Sequence, residues 1–249
     1  MAGGKLYQIG GADAEHFLQN LVTNDLKGLK DGLVYAALLT PQGKYLADFF
    51  LKREEDGSIL LDIAPGLAEA TARRLTMYKL RANVTISESP LSVTPTFEGE
   101  GALPDPRHPA LGFRRYAPDP GGAPVDLTAQ RVAHCVPESL VELIPDDSYI
   151  LECGFQRLHG VDFRKGCYVG QEVTARMKHK TELRKGLVTV EVDGAAPVGA
   201  EIVSDDGKPV GTLFSQSGGR GLAHLRYDRA GGEMRAGAAR VSWSGTLPE

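Results

Sequence analysis

The most reactive side chains of the sequence are concentrated in one stretch, "RKGCYVGQEVTARMKHK", at residues 164–180. Gly166 and Gly170 lie on either side of Cys167, and glycine adopts backbone conformations and permits close approaches that a Cβ atom would block. Lys165 precedes the first of these glycines. The pattern predicts a tight, shaped loop around a single thiol.

Two interpretations of that thiol are open. The apolar spacing after the loop predicts a helix that begins near Gln171, whose free N–H groups and positive dipole end would face Cys167. Together with Lys165, that environment favours a reactive thiolate, whereas the carboxylate of Glu172 opposes it. Alternatively, Cys167 is a small buried hydrophobic residue that fills a gap left by the glycines.

A run of cations overlaps the end of this stretch. It contains one acid, Glu182, and the basic residues Arg176, Lys178, Lys180, Arg184 and Lys185. A solvated basic face is the usual explanation of such a run. The same cations could instead bind a polyglutamate tail or the phosphates of RNA.

Composition restricts the class of protein. Of the 249 residues, 42% are hydrophobic and 24% are charged, a balance typical of a folded globular chain. The formal net charge is −4, so the chain as a whole lacks the cationic surface of a general DNA-binding protein. We therefore expect no stable nucleic-acid binding.

Cysteine usage and the N-terminus suggest a cellular compartment. Three cysteines without a C-x-x-C pair argue against a disulfide framework and against a self-contained metal or iron–sulfur ligand set. The N-terminal "MAGGKLYQIGG" has no leader pattern, and no apolar run reaches the roughly 18 residues that a membrane span needs. These features predict a cytoplasmic protein with no membrane contact and no bound metal in the isolated chain.

The first part of the chain alternates helical and β patterns. "DAEHFLQNLVTND" predicts a short helix with Asp13 near its N-terminal cap, and "GLVYAALLTPQGKYLADFFL" predicts a hairpin with its turn at residues 41–43. "SILLDI" predicts another strand, and Pro65 then begins a helix that reaches Tyr78. Interleaved helices and strands are typical of an α+β domain.

Proline content and strand texture divide the rest of the chain. Eight of the fifteen prolines fall between residues 90 and 124, which predicts a linker or domain crossing. "DLTAQRVAHCV" is a candidate helix, and from about residue 184 short alternating runs predict a small β-barrel or sandwich. We predict two α+β units, 1–95 and 96–182, the second with the thiol motif, and a C-terminal β-barrel at 183–249.

The nine residues R-K-G-C-Y-V-G-Q-E closely resemble the signature of the YgfZ-type folate-binding proteins, relatives of the glycine-cleavage T protein. Other blocks resemble the family in the same order: "GADAEHFLQNLVTND", "LLTPQGKYLADF", "YKLRANV", "DPRHPALGFR" and "GVDFRKGCYVGQE". The resemblance implies an α+β fold in which three domains form a ring around a central folate-sized cavity.

The resemblance also implies a function. Such a protein assists the assembly or repair of iron–sulfur clusters in client enzymes, including some that modify tRNA, with tetrahydrofolate or a derivative as cofactor and the assembly or client proteins as partners. Cys167 could act as a nucleophile, a redox group or a transient cluster ligand, and Lys165 is the second candidate catalytic residue. One thiol alone cannot hold a cluster, because four ligands are normally required.

A pterin ring needs a carboxylate for its adjacent N–H donors and a flat platform, and its glutamate tail needs cations. Glu152 in "YILEC" corresponds to the family's pterin-holding glutamate, although Ile150 replaces the usual proline; a solvated strand-edge glutamate is the alternative. Arg131 is either a cofactor ligand or a structural salt bridge, and Tyr168 either stacks on the ligand or packs in the core. The remaining motif positions expected at the cofactor site are Gly166, Gly170, Gln171, Glu172 and Arg176.

Two other functions stay open. A T-protein-type aminomethyltransferase needs a catalytic aspartate shortly after the "ILLDI" strand, but "DIAPGLAEATARRL" does not reproduce that pattern. Asp62 is a weak candidate, because a strand-ending aspartate near a proline more often caps a turn or helix. The third possibility is a non-catalytic scaffold of the same fold.

Overall fold

The first sheet of the molecule forms early in the chain. In the computed structural model, which describes residues 3–122, 125–180 and 183–248, its strands are β1 (Lys5–Gly10), β2 (Val34–Leu39), β3 (Tyr45–Arg53), β4 (Ile59–Ile63) and β5 (Thr85–Glu88). They pair antiparallel in the spatial order β2-β3-β4-β1-β5. The predicted β2–β3 hairpin is present, with its turn at residues 40–44.

Two helices of this unit also follow the sequence pattern. Helix α1 (Ala14–Gln19) is short, and helix α2 (Pro65–Tyr78) begins at the expected proline, whose missing N–H is no loss at a helix start. Asp13 precedes α1, but its carboxylate accepts the N–H of Asn83 at 2.8 Å instead of capping the helix. That hydrogen bond ties the start of α1 to the loop before β5.

The proline-rich segment is not a linker but a second, three-stranded sheet. Its strands β6 (Ser92–Thr96), β7 (Leu103–Pro104) and β8 (Phe113–Ala117) have the order β6-β8-β7. Pro95 and Pro104 lie in the two edge strands, where a missing N–H can face away from the central strand. The interpretation as a linker is therefore wrong, because proline is compatible with a sheet edge, whereas the domain crossing stays a prediction.

Buried charges connect the two sheets. Arg114 of β8 donates from Nε and Nη2 to Oδ2 of Asp62 in β4, at 2.8 and 2.6 Å, and both side chains are buried. Arg107 forms a bidentate pair with Asp105, at 3.0 and 2.7 Å. Burial alone would raise the pKa of Asp105, but the guanidinium of Arg107 outweighs it and the pKa lies below its usual range. Both guanidinium groups lie over the ring of Phe50, at 4.1 Å for Arg114 and 4.8 Å for Arg107.

The middle of the chain packs into the same core as the first sheet. One cluster of buried side chains joins residues 7–84 with residues 111–168, and the rings of Tyr35 and Phe155 stack within it at 5.1 Å. Helix α3 (Thr128–Ala133) and helix α4 (Gln171–Lys180) flank this segment. In the described ranges no helix is both long and apolar enough to cross a membrane. The domain boundaries at 95/96 and 182/183 stay predictions.

The C-terminal strands form a closed barrel with its own core. They are β9 (Lys185–Asp193), β10 (Ala200–Ser204), β11 (Pro209–Ser217), β12 (Arg220–Arg226), β13 (Met234–Ala236) and β14 (Ala239–Ser242). Their order is β10-β11-β12-β9-β14-β13, and β13 closes the barrel by pairing with β10. Sequence patterning alone does not predict β12, in which the consecutive residues Gly221, Leu222 and Ala223 are all buried, or β13, which has only three residues.

We expect Arg114→Met to destabilise the fold strongly, because it leaves the carboxylate of Asp62 buried without a cation. The free energy of unfolding should fall by about 3 to 5 kcal/mol, measured by urea unfolding. The matched control is Arg115→Met on the same strand, since Arg115 pairs at 3.2 Å with Glu98, whose side chain is 80% exposed. That change should cost about 1 kcal/mol or less. Equal losses in the two variants would contradict the importance of the buried pair.

Candidate functional site

The thiol motif forms a loop that packs directly on the β2–β3 hairpin turn. Gly170 has φ +83°, and a Cβ atom there would lie 2.6 Å from the carbonyl oxygen of Thr40 and 3.1 Å from Cα of Gly43. Gly43 has φ +75°, and its added Cβ would lie 2.9 Å from Cβ of Val173. Both glycines are required by conformation and by contact. The two turns are therefore fixed against each other.

Lys165 anchors the other side of the loop. Its Nζ donates to the carbonyl oxygen of Gln19, the last residue of α1, at 2.7 Å, and to that of Val22, which follows the helix. Burial lowers the pKa of Lys165 to about 8, opposed only in part by the carboxylates of Asp25 and Asp162. With its amine engaged at α1, Lys165 positions the loop.

The residues next to the thiol have structural contacts of their own. Tyr168 is buried in the main core, with Nζ of Lys165 5.2 Å from its ring centroid, so the ring packs. Helix α4 begins at Gln171, as predicted, and Oε1 of Gln171 accepts the N–H of Tyr168 at 3.1 Å. Gly166 is exposed, and a Cβ atom there would meet nothing within 4 Å. The close packing predicted around the thiol therefore depends on Gly170 and not on Gly166.

Cys167 is the exposed thiol of the chain, whereas Cys135 and Cys153 are both buried. Burial raises the pKa of Cys135 to about 11 and raises that of Cys153 further above its ordinary value. The interpretation of Cys167 as a buried hydrophobic residue is wrong, because the loop turns its side chain to solvent. A reagent or partner protein can reach this thiol.

Charged residues near the thiol lie at the surface. Arg176 pairs with Glu172 one helical turn away at 2.8 Å, and their side chains are 61% and 83% exposed. Arg164 is almost fully exposed, and Lys178 lies over the ring of Phe163 at 5.7 Å. From the predicted basic run, residue Glu182 and the side chain of Lys180 lie outside the described part of the structure.

Glu152, the candidate pterin carboxylate, faces the barrel. Its Oε2 lies 3.4 Å from Nζ of Lys185 in β9 and 3.3 Å from Nε2 of His224 in β12. Its carbonyl oxygen accepts the N–H of Leu187 at 2.7 Å. The side chain is only 9% exposed, so it is not a solvated strand-edge glutamate. Glu152 therefore joins the segment before the motif to the barrel.

Arg131 forms a buried salt bridge. It lies 2.7 Å from Glu138 and 3.3 Å from Glu142, and its Nη2 also donates to Oγ of Ser215 in β11 at 3.2 Å. Glu142 in turn accepts the N–H of Ser215 at 3.1 Å. These contacts hold the end of α3 on the barrel and use donors that a cofactor would need.

Sequence analysis missed the cavity between the first and second sheets. Its polar lining comes from Asp48, Asp62, Arg107, Arg114, Glu138 and Ser139, and its volume is about 40 Å³, space for one or two water molecules. The lining includes neither Cys167 nor Glu152, so this cavity does not bring the thiol and that carboxylate together. The sequence did contain a signal for this cavity: the apolar runs "YLADFFL" and "ILLDI" each contain one aspartate. A buried acid needs polar partners, so these aspartates indicate a polar site inside the fold.

Asp48 is the least expected residue of this inter-sheet cavity. Its carboxylate accepts three hydroxyl groups, from Tyr35 at 2.8 Å, Tyr45 at 2.6 Å and Ser139 at 2.6 Å. Burial and the charge of Asp48 raise the pKa of both tyrosines far above its ordinary value, so both phenols remain donors. Within the described residues, hydroxyl groups thus compensate the buried carboxylate without a direct salt bridge.

Comparison with solved structures identifies the fold. The chain is similar to the glycine cleavage system aminomethyltransferase T from Bartonella henselae, with a TM-score of 0.73, 15% identity, and coverage of 98% of this chain and 84% of that one. Residues 184–246 match the family model of the CAF17 C-terminal beta-barrel domain. The predicted α+β class, with a T-protein-like fold and a C-terminal barrel, is confirmed.

Curated relatives share the name of an iron–sulfur cluster assembly factor, IBA57. The chain is 33% identical to the homolog of Mycosarcoma maydis, 32% to the protein of Mus musculus and 29% to that of Homo sapiens, over 73%, 93% and 99% of this chain. It spans 53%, 78% and 83% of those proteins, respectively. The family expectation thus holds at the level of the wider group, but the relatives are IBA57 proteins and not YgfZ itself.

The comparisons also correct the predicted location. All three relatives are named mitochondrial, so the prediction of a cytoplasmic protein is wrong. Unpaired cysteines indicate a reducing compartment but do not identify it. The N-terminal pattern did not identify the compartment either. With 32% identity to the mouse protein and coverage of 78% of its length, the chain belongs to the IBA57 iron–sulfur cluster assembly factor family.

Proposed function

We propose that this protein assists the assembly or repair of iron–sulfur clusters by supplying Cys167 as one ligand to a cluster whose other ligands belong to a partner protein. The names of its relatives support a role in cluster assembly. Exposure of Cys167 on an anchored loop is the observation that carries the proposal. Whether the clients include enzymes that modify tRNA stays a prediction.

The ligand chemistry requires a partner. Iron–sulfur clusters are normally held by four protein ligands, with thiolates the preferred ones. Within the described residues, no three His, Cys, Asp or Glu side chains are arranged to hold a metal ion. When Cys167 binds, its thiol releases a proton, a sulfur–iron bond forms and one bond from iron to a partner thiolate breaks. The displaced thiolate takes up a proton, and no electron is transferred.

The anchored loop favours this exchange. Contacts with the hairpin turn at Gly43 and with the end of α1 fix the backbone on both sides of Cys167. A ligand held in place before binding loses less conformational entropy when the complex forms. A cluster with thiolate ligands is anionic, and Arg164, three residues before the thiol, is almost fully exposed, with the carboxylate of Asp162 3.9 Å from its Nε. The fixed backbone therefore favours ligand exchange at Cys167.

Folate, the cofactor implied by the family resemblance, does not fit the cavity that the described residues form between the two sheets. The inter-sheet cavity of about 40 Å³ is far below the roughly 300 Å³ of a small ligand pocket. Asp48 and Asp62 already accept hydrogen bonds from protein donors, and Glu152 is paired with the barrel. No step of the proposed function passes through folate, and the same mismatch argues against aminomethyl transfer in this cavity.

We expect Cys167→Ala to abolish most of the support for cluster-dependent enzymes in cells that lack their own copy of the protein. Its free energy of unfolding should change by less than about 0.5 kcal/mol, because the side chain is exposed. The matched control is Cys135→Ala, which removes a buried thiol and should retain activity. Full activity of the Cys167 variant at equal protein level would exclude the ligand role.

Lys165 predicts a pH dependence of stability. Its folded-state pKa is about 8 against an ordinary 10.5, so the unfolded chain binds a proton in this window that the folded chain has released. Its contribution to stability therefore rises with pH, and the neutral amine still has an N–H for each carbonyl. Between about pH 8 and about pH 10, the difference in unfolding free energy between wild type and Lys165→Met should shift in favour of wild type. A flat or opposite trend for Lys165 would contradict the assignment.

The placement of Glu152 gives a test that separates stability from folate binding. Glu152→Gln should lower the free energy of unfolding by about 1 kcal/mol, because the amide cannot replace a carboxylate between Lys185 and His224. Calorimetric titration with tetrahydrofolate should give the same result for the variant as for wild type. Loss of tetrahydrofolate binding with unchanged stability would show that this carboxylate holds the pterin.

A further inference from the structure

A second cavity lies where α3 ends against the barrel. Its volume is about 470 Å³, within the range of small-molecule sites, and Ser244, Thr246, Leu247 and Pro248 near the C-terminus line one part of it. We call it the C-terminal groove, and its polar lining includes His108, His134, Arg157, Glu191 and Arg220. Cys167 is not part of it, so the proposed cluster chemistry does not account for it.

Two stacked imidazoles form one wall of the C-terminal groove. The ring centroids of His108 and His134 are 4.0 Å apart, with 24° between the planes. Nδ1 of His108 accepts the N–H of Ala110 at 3.1 Å, so the proton of the neutral ring lies on Nε2. Burial, His134 and Arg157 lower the pKa of His108, opposed in part by Asp105. His108 thus brings a donor to the groove without a fixed charge.

Arg157 brings a charge that no carboxylate neutralises in the described part of the chain. Its Nη1 donates to the carbonyl oxygen of His134 at 3.1 Å, and its Nη2 donates to that of Cys135. Nε is buried and has no hydrogen-bond partner. Gly154 lies against the guanidinium, where a Cβ atom would come within 3.0 Å of Nε. The cation is therefore held in place.

Arg220 on β12 lies on the barrel side of the groove. It pairs with Glu191 at 3.3 Å, but both side chains are more than half exposed, at 53% and 67%. Such a pair contributes little stability, so Arg220 can turn to a bound anion at small cost. Two guanidinium groups against one carboxylate leave the lining net positive.

We propose that the C-terminal groove binds a small molecule through a phosphate group, held by Arg157 and Arg220 beside the His108–His134 pair. Guanidinium groups match phosphate oxygens in geometry and charge, and a neutral imidazole adds a donor. The net positive lining disfavours a cationic ligand. The volume leaves room beyond the phosphate for an organic group about the size of a nucleoside. This site is independent of the proposed cluster function.

The test uses the whole protein with two probes, inorganic phosphate and adenosine 5′-monophosphate. Calorimetry measures affinity, and NMR follows the imidazole resonances of His108 and His134. We expect Arg220→Gln to lower the affinity by about three- to tenfold, consistent with one exposed charged contact. Glu191→Gln should raise the affinity, because it removes the competing carboxylate. The matched control is Arg226→Gln on the same strand, whose arginine pairs with Asp228 at 3.3 Å and does not line the groove.

Each outcome decides. Tighter binding of the nucleotide would identify a phosphate monoester as the ligand class, whereas equal binding would identify free phosphate. Either result supports the site when Arg220→Gln lowers the affinity for the probe and Arg226→Gln does not. Absence of binding by both probes, equal effects of the two arginine variants, or imidazole resonances that do not move at saturation would overturn the proposal. None of these results bears on Cys167.

Discussion

The pair of Asp62 and Arg114 is the constraint on which the arrangement of the two sheets depends. A carboxylate and a guanidinium buried together are costly to desolvate, and they are tolerated because several hydrogen bonds satisfy them in one geometry. Phe50 fixes that geometry further by accepting both Arg114 and Arg107 over its ring. The polar centre thereby sets the position of the second sheet on the first, which apolar contacts alone would leave less specific.

From this centre the first sheet positions the reactive thiol. Strands β2 and β3 fix the hairpin turn at Thr40 and Gly43, and that turn meets Gly170 at a distance that admits no side chain. Lys165 fixes the other side of the loop on α1. A residue near the surface is thus held by the first sheet, so the exposure of Cys167 results from the packing of the loop and not from disorder.

Local patterns predicted much of the fold. The hairpin, α2 and the start of α4 followed from apolar periodicity, Pro65 and the glycines, because these signals act within a few residues. The pairing of Asp62 with Arg114 and of Glu152 with Lys185 and His224 could not be predicted, because partners distant in sequence decide whether a carboxylate is buried. The same limit applies to Arg131, because its two interpretations differ only in whether its guanidinium contacts a cofactor or a carboxylate of the protein. Pro95 was misinterpreted because proline is compatible both with an edge strand and with a linker.

The polar interior has a consequence for where chemistry can occur. Arg114 donates to Asp62, and Asp48 accepts hydrogen bonds from hydroxyl groups. A ligand that displaced these partners from the inter-sheet cavity would therefore destabilise the fold. Binding at the anchored thiol displaces no such partners, because the side chain of Cys167 already faces solvent. Under the proposed function, selectivity for a partner protein then depends on the surface around Cys167, where Arg164, Glu172 and Arg176 are exposed, and less on the shape of an internal pocket.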